Sequence, residues 1–305
     1  MTHILPSSFK INPAVAEAIT KNKPVVALES AVVTHGLPRP KNLELARALE
    51  EEVRRTGVTP ATIALLSGKV MVGLEPVELE QLANMEKTRK ISRRDFGIAV
   101  ARGESGGTTV AGTLVAAHAA GIRVFATGGI GGVHRDPPTD ISADLPELAH
   151  TPLIVVCSGA KSILNLPATI EYLETVGVPI VGYQTDEFPA FFSRSSGLQV
   201  NVRVESPAEA AQIALRQWEM GIQSAVLVVQ PPPASAALPA DAIEAVIDLA
   251  LQEAREEGIH GASATPFLLE KVNQLSHGAS LEANLALLKQ NARLAAQIAL
   301  ALSLA

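Results

Sequence analysis

Short apolar runs rich in β-branched residues alternate along this chain with longer stretches whose apolar residues recur three and four apart. The short runs predict strands at 24–28, 62–66, 69–74, 122–126, 153–157, 179–182 and 224–229. Several are apolar throughout, the pattern of a strand covered on both faces. The longer stretches predict helices at 40–56, 109–120, 162–175, 208–220, 240–257 and 280–304. In 40–56, Leu43, Leu49 and Val53 make an apolar stripe opposite a charged face. Thr108 or Thr109 caps the second helix, and Gly121 stops it.

Strand–helix alternation of this kind predicts a three-layer α/β/α sandwich on a largely parallel sheet. Ser67-Gly68 falls between two strand patterns and predicts one hairpin, so the sheet is expected to be mixed. No Gly/Ser-rich or charged linker divides the chain, and apolar patterning resumes directly after Pro231–Pro233. Residues 1–305 therefore read as a single domain.

Composition narrows the function. Hydrophobic residues make up 47 % and charged residues 18 %, enough for a large core and unlike a disordered chain. Net charge is −6, without a long basic run, which argues against nucleic acid as a partner. Aromatic residues are only 3 %, too few for a base-stacking platform. The single cysteine, Cys157, lies in an apolar run and is expected to pack in the core. It can form no intrachain disulfide, which fits a reducing compartment. The opening MTHILPSSFK lacks the apolar centre of a signal peptide, and no apolar run reaches the ~18 residues of a membrane span. A cytoplasmic protein with no membrane contact is expected.

Polar residues collect just after the expected strands, where open α/β sheets bind ligands. Glu29 and Ser30 follow the first strand, with His35 and Gly36 close behind. A glutamate at a partly dry strand end can work as a general acid, or it can be a solvated loop carboxylate. In Lys90-Ile-Ser-Arg-Arg-Asp95 the cations suit a phosphate, or an exposed charged turn. Thr127-Gly-Gly-Ile-Gly-Gly-Val-His-Arg135 offers glycines past which a ligand can approach the backbone closely. It is no dinucleotide fingerprint, because His134 stands where the third glycine belongs. Asp140 and Asp144 flank Ser142. Asp140 can hold a hard cation that keeps most of its waters, or these residues can cap a short helix at 142–149.

Cys157-Ser-Gly-Ala-Lys-Ser162 lies between a strand and a helix pattern. It is not a nucleotide P-loop: Ala160 precedes Lys161, and Val155 fills the upstream glycine position. The expected helix over 162–175 would set Lys161 at its positive end, where dipole and burial both disfavour an ammonium. A lysine so placed can attack a carbonyl-like carbon. A phosphate-binding lysine would instead stay charged. Asn284, on the expected C-terminal helix, either faces a ligand or is exposed.

Taken together, these segments resemble the pseudouridine-5′-phosphate glycosidase family, also called the indigoidine synthase A family. The matching stretches include PVVALES (24–30), THGLPRP (34–40), ISRRD (91–95), TTVAGT (108–113), VFATGGIGGVHR (124–135), DISADL (140–145), VVCSGAKSILNL (155–166), GYQTDEFPAFF (182–192) and TPFLLEKV (265–272). The resemblance implies Glu29 as proton donor, Lys161 as nucleophile and Asp140 as the manganese-binding aspartate, with one divalent cation, Mn2+, per subunit. It implies Lys90, Val110, Ser142, Ala143 and Asp144 as substrate contacts. Asn284 falls on a substrate-site asparagine, and His134 on a phosphate contact. The implied substrate is pseudouridine 5′-phosphate, cleaved reversibly through a Schiff base on Lys161, with Asp144 as a proton carrier. The implied assembly is a homotrimer. Three other readings suit such a site: a ribokinase-like sugar-phosphate kinase, a nucleotide sensor without turnover, and a relative acting on another C-nucleoside phosphate.

Overall fold

In the computed structural model, which describes residues 5–259, 261 and 264–305, each of the expected strands forms. The strands are β1 (Phe9–Ile11), β2 (Val25–Leu28), β3 (Thr59–Leu66), β4 (Lys69–Val72), β5 (Arg89–Ile91), β6 (Gly106–Thr108), β7 (Val124–Ala126), β8 (Val133–His134), β9 (Ile154–Cys157), β10 (Leu164–Asn165), β11 (Ile180–Tyr183), β12 (Val202–Val204) and β13 (Val226–Val229). One sheet of 11 strands runs β1-β4-β3-β2-β7-β9-β13-β11-β12, with β6 attached to β3 and β5 to β6. Its pairs are parallel except β3 with β4 and β3 with β6. The expected mixed, largely parallel sheet is present.

Every residue of β2, β9 and β13 is buried, so layers cover both faces. The C-terminal helix Ala279–Ser303 crosses β2, β7 and β9 and lies beside helices Lys41–Arg54 and Pro207–Glu219. Helix Val110–Ala119 packs on β2, β3 and β4. The stripe of Lys41–Arg54 is formed by Leu45, Leu49 and Val53, one turn apart. Leu43 lies at its edge, against a second apolar cluster with Val33 and Leu79. At the β3–β4 hairpin, Ser67 and Gly68 both take positive φ, 47° and 74°, the two-residue turn that matches strand twist. A side chain at Gly68 would meet the Val100 carbonyl at 2.8 Å.

One expectation is corrected. The helix drawn over 162–175 begins only at Leu166, and Leu164 and Asn165 instead pair antiparallel with His134 and Val133. Asn165 caps the helix by accepting from the Ala168 N–H at 3.1 Å, and Pro167 fills its first turn. Lys161 therefore does not sit on a helix N-terminus, and the dipole argument for it fails. The short strands β1, β5, β6, β8, β10 and β12 were outside the expected set, since none of them lies in an apolar run long enough to show a period.

Candidate active site

Parallel neighbours end on one side of a sheet. Glu29, Thr127, Ser158 and Gln230, the first residues past β2, β7, β9 and β13, consequently stand in a row. Beyond this row lies a cavity of about 1150 Å³. Glu29, Lys90, Val110, His134, Asp140, Ser142, Ala143, Asp144, Lys161 and Asn284 all line it. Residues up to 255 positions apart are thereby gathered at one place, from Glu29 to Asn284.

Glu29 is enclosed at its carboxyl group, while part of the residue faces the cavity. The Thr127 hydroxyl donates to its Oε1. Burial pushes this carboxyl above the usual glutamate range. The positive charge of Lys161 and the Thr127 hydrogen bond oppose the rise, Asp144 adds to it, and Lys90 opposes it. Lys161 Nζ donates to the Gly129 carbonyl at 2.8 Å. Thus the groups at 29 and 161 are held by the two ends of a single three-residue step, Thr127-Gly128-Gly129.

Lys90 sits on β5, half-buried. Burial pushes its ammonium below the usual lysine range; Lys161 adds to this, and Asp144 and Glu29 oppose it. His35 also borders the cavity, and burial and the Lys90 charge hold its imidazole below the ordinary value. The rest of the basic segment is committed elsewhere. Arg89 pairs with Glu104 and Asp95, and Arg93 with Glu147 at 2.7 Å. Arg94 lines the rim, exposed.

Asp144 is buried, and both of its oxygens are bonded to backbone. Oδ1 accepts from the Ala111 N–H at 2.8 Å, in the first turn of Val110–Ala119. Oδ2 accepts from the Gly131 N–H at 2.8 Å. Ser142 Oγ accepts from the Asp144 N–H at 3.2 Å. The carboxylate thus ties the glycine loop to the helix that carries Val110. The glycines there make room for the protein itself. A side chain at Gly129 would meet Phe191 at 2.6 Å, one at Gly131 would overlap Ser142, and one at Gly132 would meet Thr169. This packing requirement stands beside the expected approach of a ligand, since Gly128, Gly129 and Gly131 also line the cavity.

Asp140 borders the cavity as a single carboxylate beside His134 and Ser142, and its carbonyl accepts from the His134 N–H at 2.9 Å. Among the described residues, no three His, Cys, Asp or Glu side chains group as a metal set. One oxygen donor suits a hard, largely hydrated divalent cation and not a nitrogen–sulfur cage. Cys157 is fully buried, and burial pushes its thiol up to about 12, so it packs and does not react.

Sequence reasoning missed Thr127, Phe191, Leu288 and Asn291 as parts of the site or its support. Asn291 alone left a signal: a polar residue inside the buried stripe of the C-terminal helix. No helix among the described residues is long and apolar enough to cross a membrane.

Residues 14–301 match the family described as indigoidine synthase A like protein. A pseudouridine-5′-phosphate glycosidase from Caldanaerobacter subterraneus subsp. tengcongensis is 50 % identical over 295 residues, 96 % of each chain. One from Geobacillus kaustophilus is 51 % identical over 291 residues, 95 % of this chain and 97 % of the other. Among solved structures, the prealnumycin C-glycosynthase AlnA in complex with ribulose 5-phosphate superposes with a TM-score of 0.91 at 40 % identity, covering 98 % of both chains. An indigoidine synthase A-like protein from Thermotoga maritima gives 0.89 at 38 % identity, covering 99 % of this chain and 98 % of the other.

Proposed function

Since the chain belongs to the indigoidine synthase A-like family, we propose that it is a pseudouridine-5′-phosphate glycosidase, cleaving its substrate reversibly to uracil and ribose 5-phosphate. The observation that carries this reading is the pairing of Glu29 and Lys161 across one loop step in the lining of a shared cavity. The substrate joins uracil C5 to ribose C1′ through carbon, so protonating a leaving oxygen at the glycosidic bond, as ordinary glycosidases do, is not open to this enzyme.

Glu29, whose carboxyl burial pushes above the usual glutamate range, donates a proton to the ribose ring oxygen as the C1′–O bond breaks. The Lys161 amine forms a bond to C1′, and its proton is lost to a nearby base. A proton then reaches uracil C5, the nitrogen lone pair forms the C=N bond, and the C1′–C5 electron pair leaves with uracil. Water adds to the iminium, and the C–N bond breaks to release ribose 5-phosphate and the free lysine. Asp144 serves as the proton carrier near Gly131. Lys90 and His134 hold the phosphate, whose binding energy positions C1′. Val110, Ser142, Ala143 and Asn284 shape the rest of the substrate site. Asp140 would hold one hydrated Mn2+, which when bound polarises substrate oxygens and orders water.

The protein is read as a single catalytic domain, a cytoplasmic enzyme and a homotrimer that requires neither nucleic acid nor membrane. The decisive experiment incubates purified protein with pseudouridine 5′-phosphate and Mn2+ and quantifies both products. Equimolar uracil and ribose 5-phosphate are expected. Substrate recovered intact would exclude turnover, and formation of a phosphorylated product only with ATP would make the protein a kinase.

A further inference from the structure

Between 287 and 299 the buried face of the C-terminal helix is apolar apart from one residue, Asn291, which is fully buried. A primary amide in that setting destabilises the fold unless its hydrogen bonds are made. Here they are made, to the row of strand-end residues and to Gly128 beside it. Asn291 Nδ2 donates to the Thr127 carbonyl at 2.9 Å and the Gly128 carbonyl at 3.3 Å. The same amide meets the Ser158 hydroxyl at 3.2 Å, and Oδ1 accepts from Gln230 Nε2 at 3.0 Å. Gln290 extends the network, donating to Gln230 Oε1 at 2.9 Å. One side chain therefore joins the residues just past β7, β9 and β13.

The same helix also bounds this step sterically. A side chain at Gly128 would meet Leu288 at 3.1 Å and Leu287 at 3.3 Å. Ser158 N–H donates to the Gly128 carbonyl at 2.9 Å, and Lys161 N–H to the Ile130 carbonyl at 3.1 Å, so the two loops are laced together above the amide.

We propose that Asn291 is a positioning residue for both reacting groups: by fixing the Thr127 and Gly128 carbonyls, it sets where the Thr127 hydroxyl meets Glu29 and where the Gly129 carbonyl meets Lys161. It touches no substrate and acts through these two partners. The inference rests on the roles proposed above for Glu29 and Lys161. An aliphatic core residue would fill the space as well but would let the step shift, and misplacement of reacting groups by about 1 Å costs on the order of 100-fold in rate.

The test is Asn291→Leu in the full chain, with folding checked by circular dichroism. Two readouts are taken. In steady state, kcat should fall about 30- to 100-fold while KM changes less than about 3-fold. Separately, and without substrate, reductive methylation by formaldehyde and cyanoborohydride is followed by peptide mass spectrometry. The ratio of labelling at Lys161 to that at Lys90 should rise several-fold as the Gly129 carbonyl is released. Either readout unchanged in a folded variant overturns the proposal, as does a KM rise with kcat intact. If Asn291→Leu does not fold, Asn291→Ala, which also lacks the donor to Thr127 and Gly128 and adds no bulk, is read in the same way. Should the unmodified protein release no uracil, the glycosidase reading fails, and the labelling ratio alone still decides whether Asn291 holds Lys161 in place.

Discussion

The hydroxyl of Thr127 donates to Oε1 of Glu29 across the boundary between two neighbouring parallel strands, each residue being the first past its strand. That bond opposes the effect of burial on the carboxyl group, as do Lys161 and Lys90, while Asp144 reinforces it. Thr127→Val keeps the shape and removes the donor. The Glu29 carboxyl should then lie still further above the usual range. An acid works in its protonated form, so the high-pH limb of kcat/KM should move to higher pH. Uracil release followed from about pH 5 to pH 10 measures this; a limb that stays in place would detach Glu29 from the acid role.

Glu29→Gln separates activity from stability. With its folded value raised, Glu29 binds more protons in the folded than in the unfolded chain between the two values. Its contribution to stability is thus full below the unfolded value and is lost as pH rises through the folded one. Glutamine has no such proton to lose. The variant should lose about 10²- to 10⁴-fold in rate, yet melt at a higher temperature than the parent at alkaline pH, with the gap closing in acid. Melting curves at several pH values decide it; a gap of constant size would mean that ionisation is not the cause.

Lys90 and Lys161 both line the cavity, and Lys161 Nζ donates to the Gly129 carbonyl at 2.8 Å. Borohydride added during turnover should fix a ribose 5-phosphate adduct at Lys161, readable by peptide mass. Lys161→Ala should abolish both adduct and turnover while still binding ribose 5-phosphate in calorimetry. An adduct found at Lys90 instead would reassign the nucleophile.

The legible part of this protein is the part written in long apolar runs. β2, β7, β9 and β13 are buried throughout, so each shows as a run, and the residues that follow them supply Glu29 and the Lys161 loop. What periodicity alone could not show is lateral order. That Glu29 meets Thr127 depends on β2 pairing with β7, a contact between residues 98 apart. The pattern sets Lys161 at a helix terminus because residues 162–165 carry helix-compatible side chains, whereas the helix starts only at Leu166 and Leu164 and Asn165 pair with β8. The glycines at 129, 131 and 132 were legible as a need for close approach, but not that Phe191, Ser142 and Thr169 are among what approaches. Asn291 was hidden for a different reason: a helix pattern records which face is buried, not what its polar member holds.

Cys157 shares a sequence segment with Lys161 and is yet inert by environment. With its thiol at about 12, only about one molecule in ten thousand carries a thiolate at pH 8. Iodoacetamide should leave the native protein unlabelled and active, and label one site once the protein is denatured. Rapid native labelling with loss of activity would return the thiol to the list of reactive groups.

Gly131 and Gly177 offer a paired test of why a glycine is needed. Gly177 follows the helix Leu166–Thr175 at φ +71° with nothing near the position of an added side chain. Its need is conformational, so Gly177→Ala should cost about 1–2 kcal/mol of stability and leave kcat unchanged. Gly131 is not in the left-handed region, and its need is space. An added methyl would overlap Ser142 Oγ and come within 2.8 Å of Asp144 Oδ2, the oxygen that the Gly131 N–H holds. Gly131→Ala must therefore push Ser142 and Asp144 off their positions, loosening the Ala111 bond at the start of Val110–Ala119 as well. Overpacking of this kind costs about 1–3 kcal/mol, comparable to the other variant, but here kcat should fall by about 100-fold through displacement alone. Chemical denaturation and steady-state rates measured on both variants separate the two causes. An unchanged kcat in Gly131→Ala would mean that the loop tolerates the shift and that Asp144 is not held where the reaction needs it.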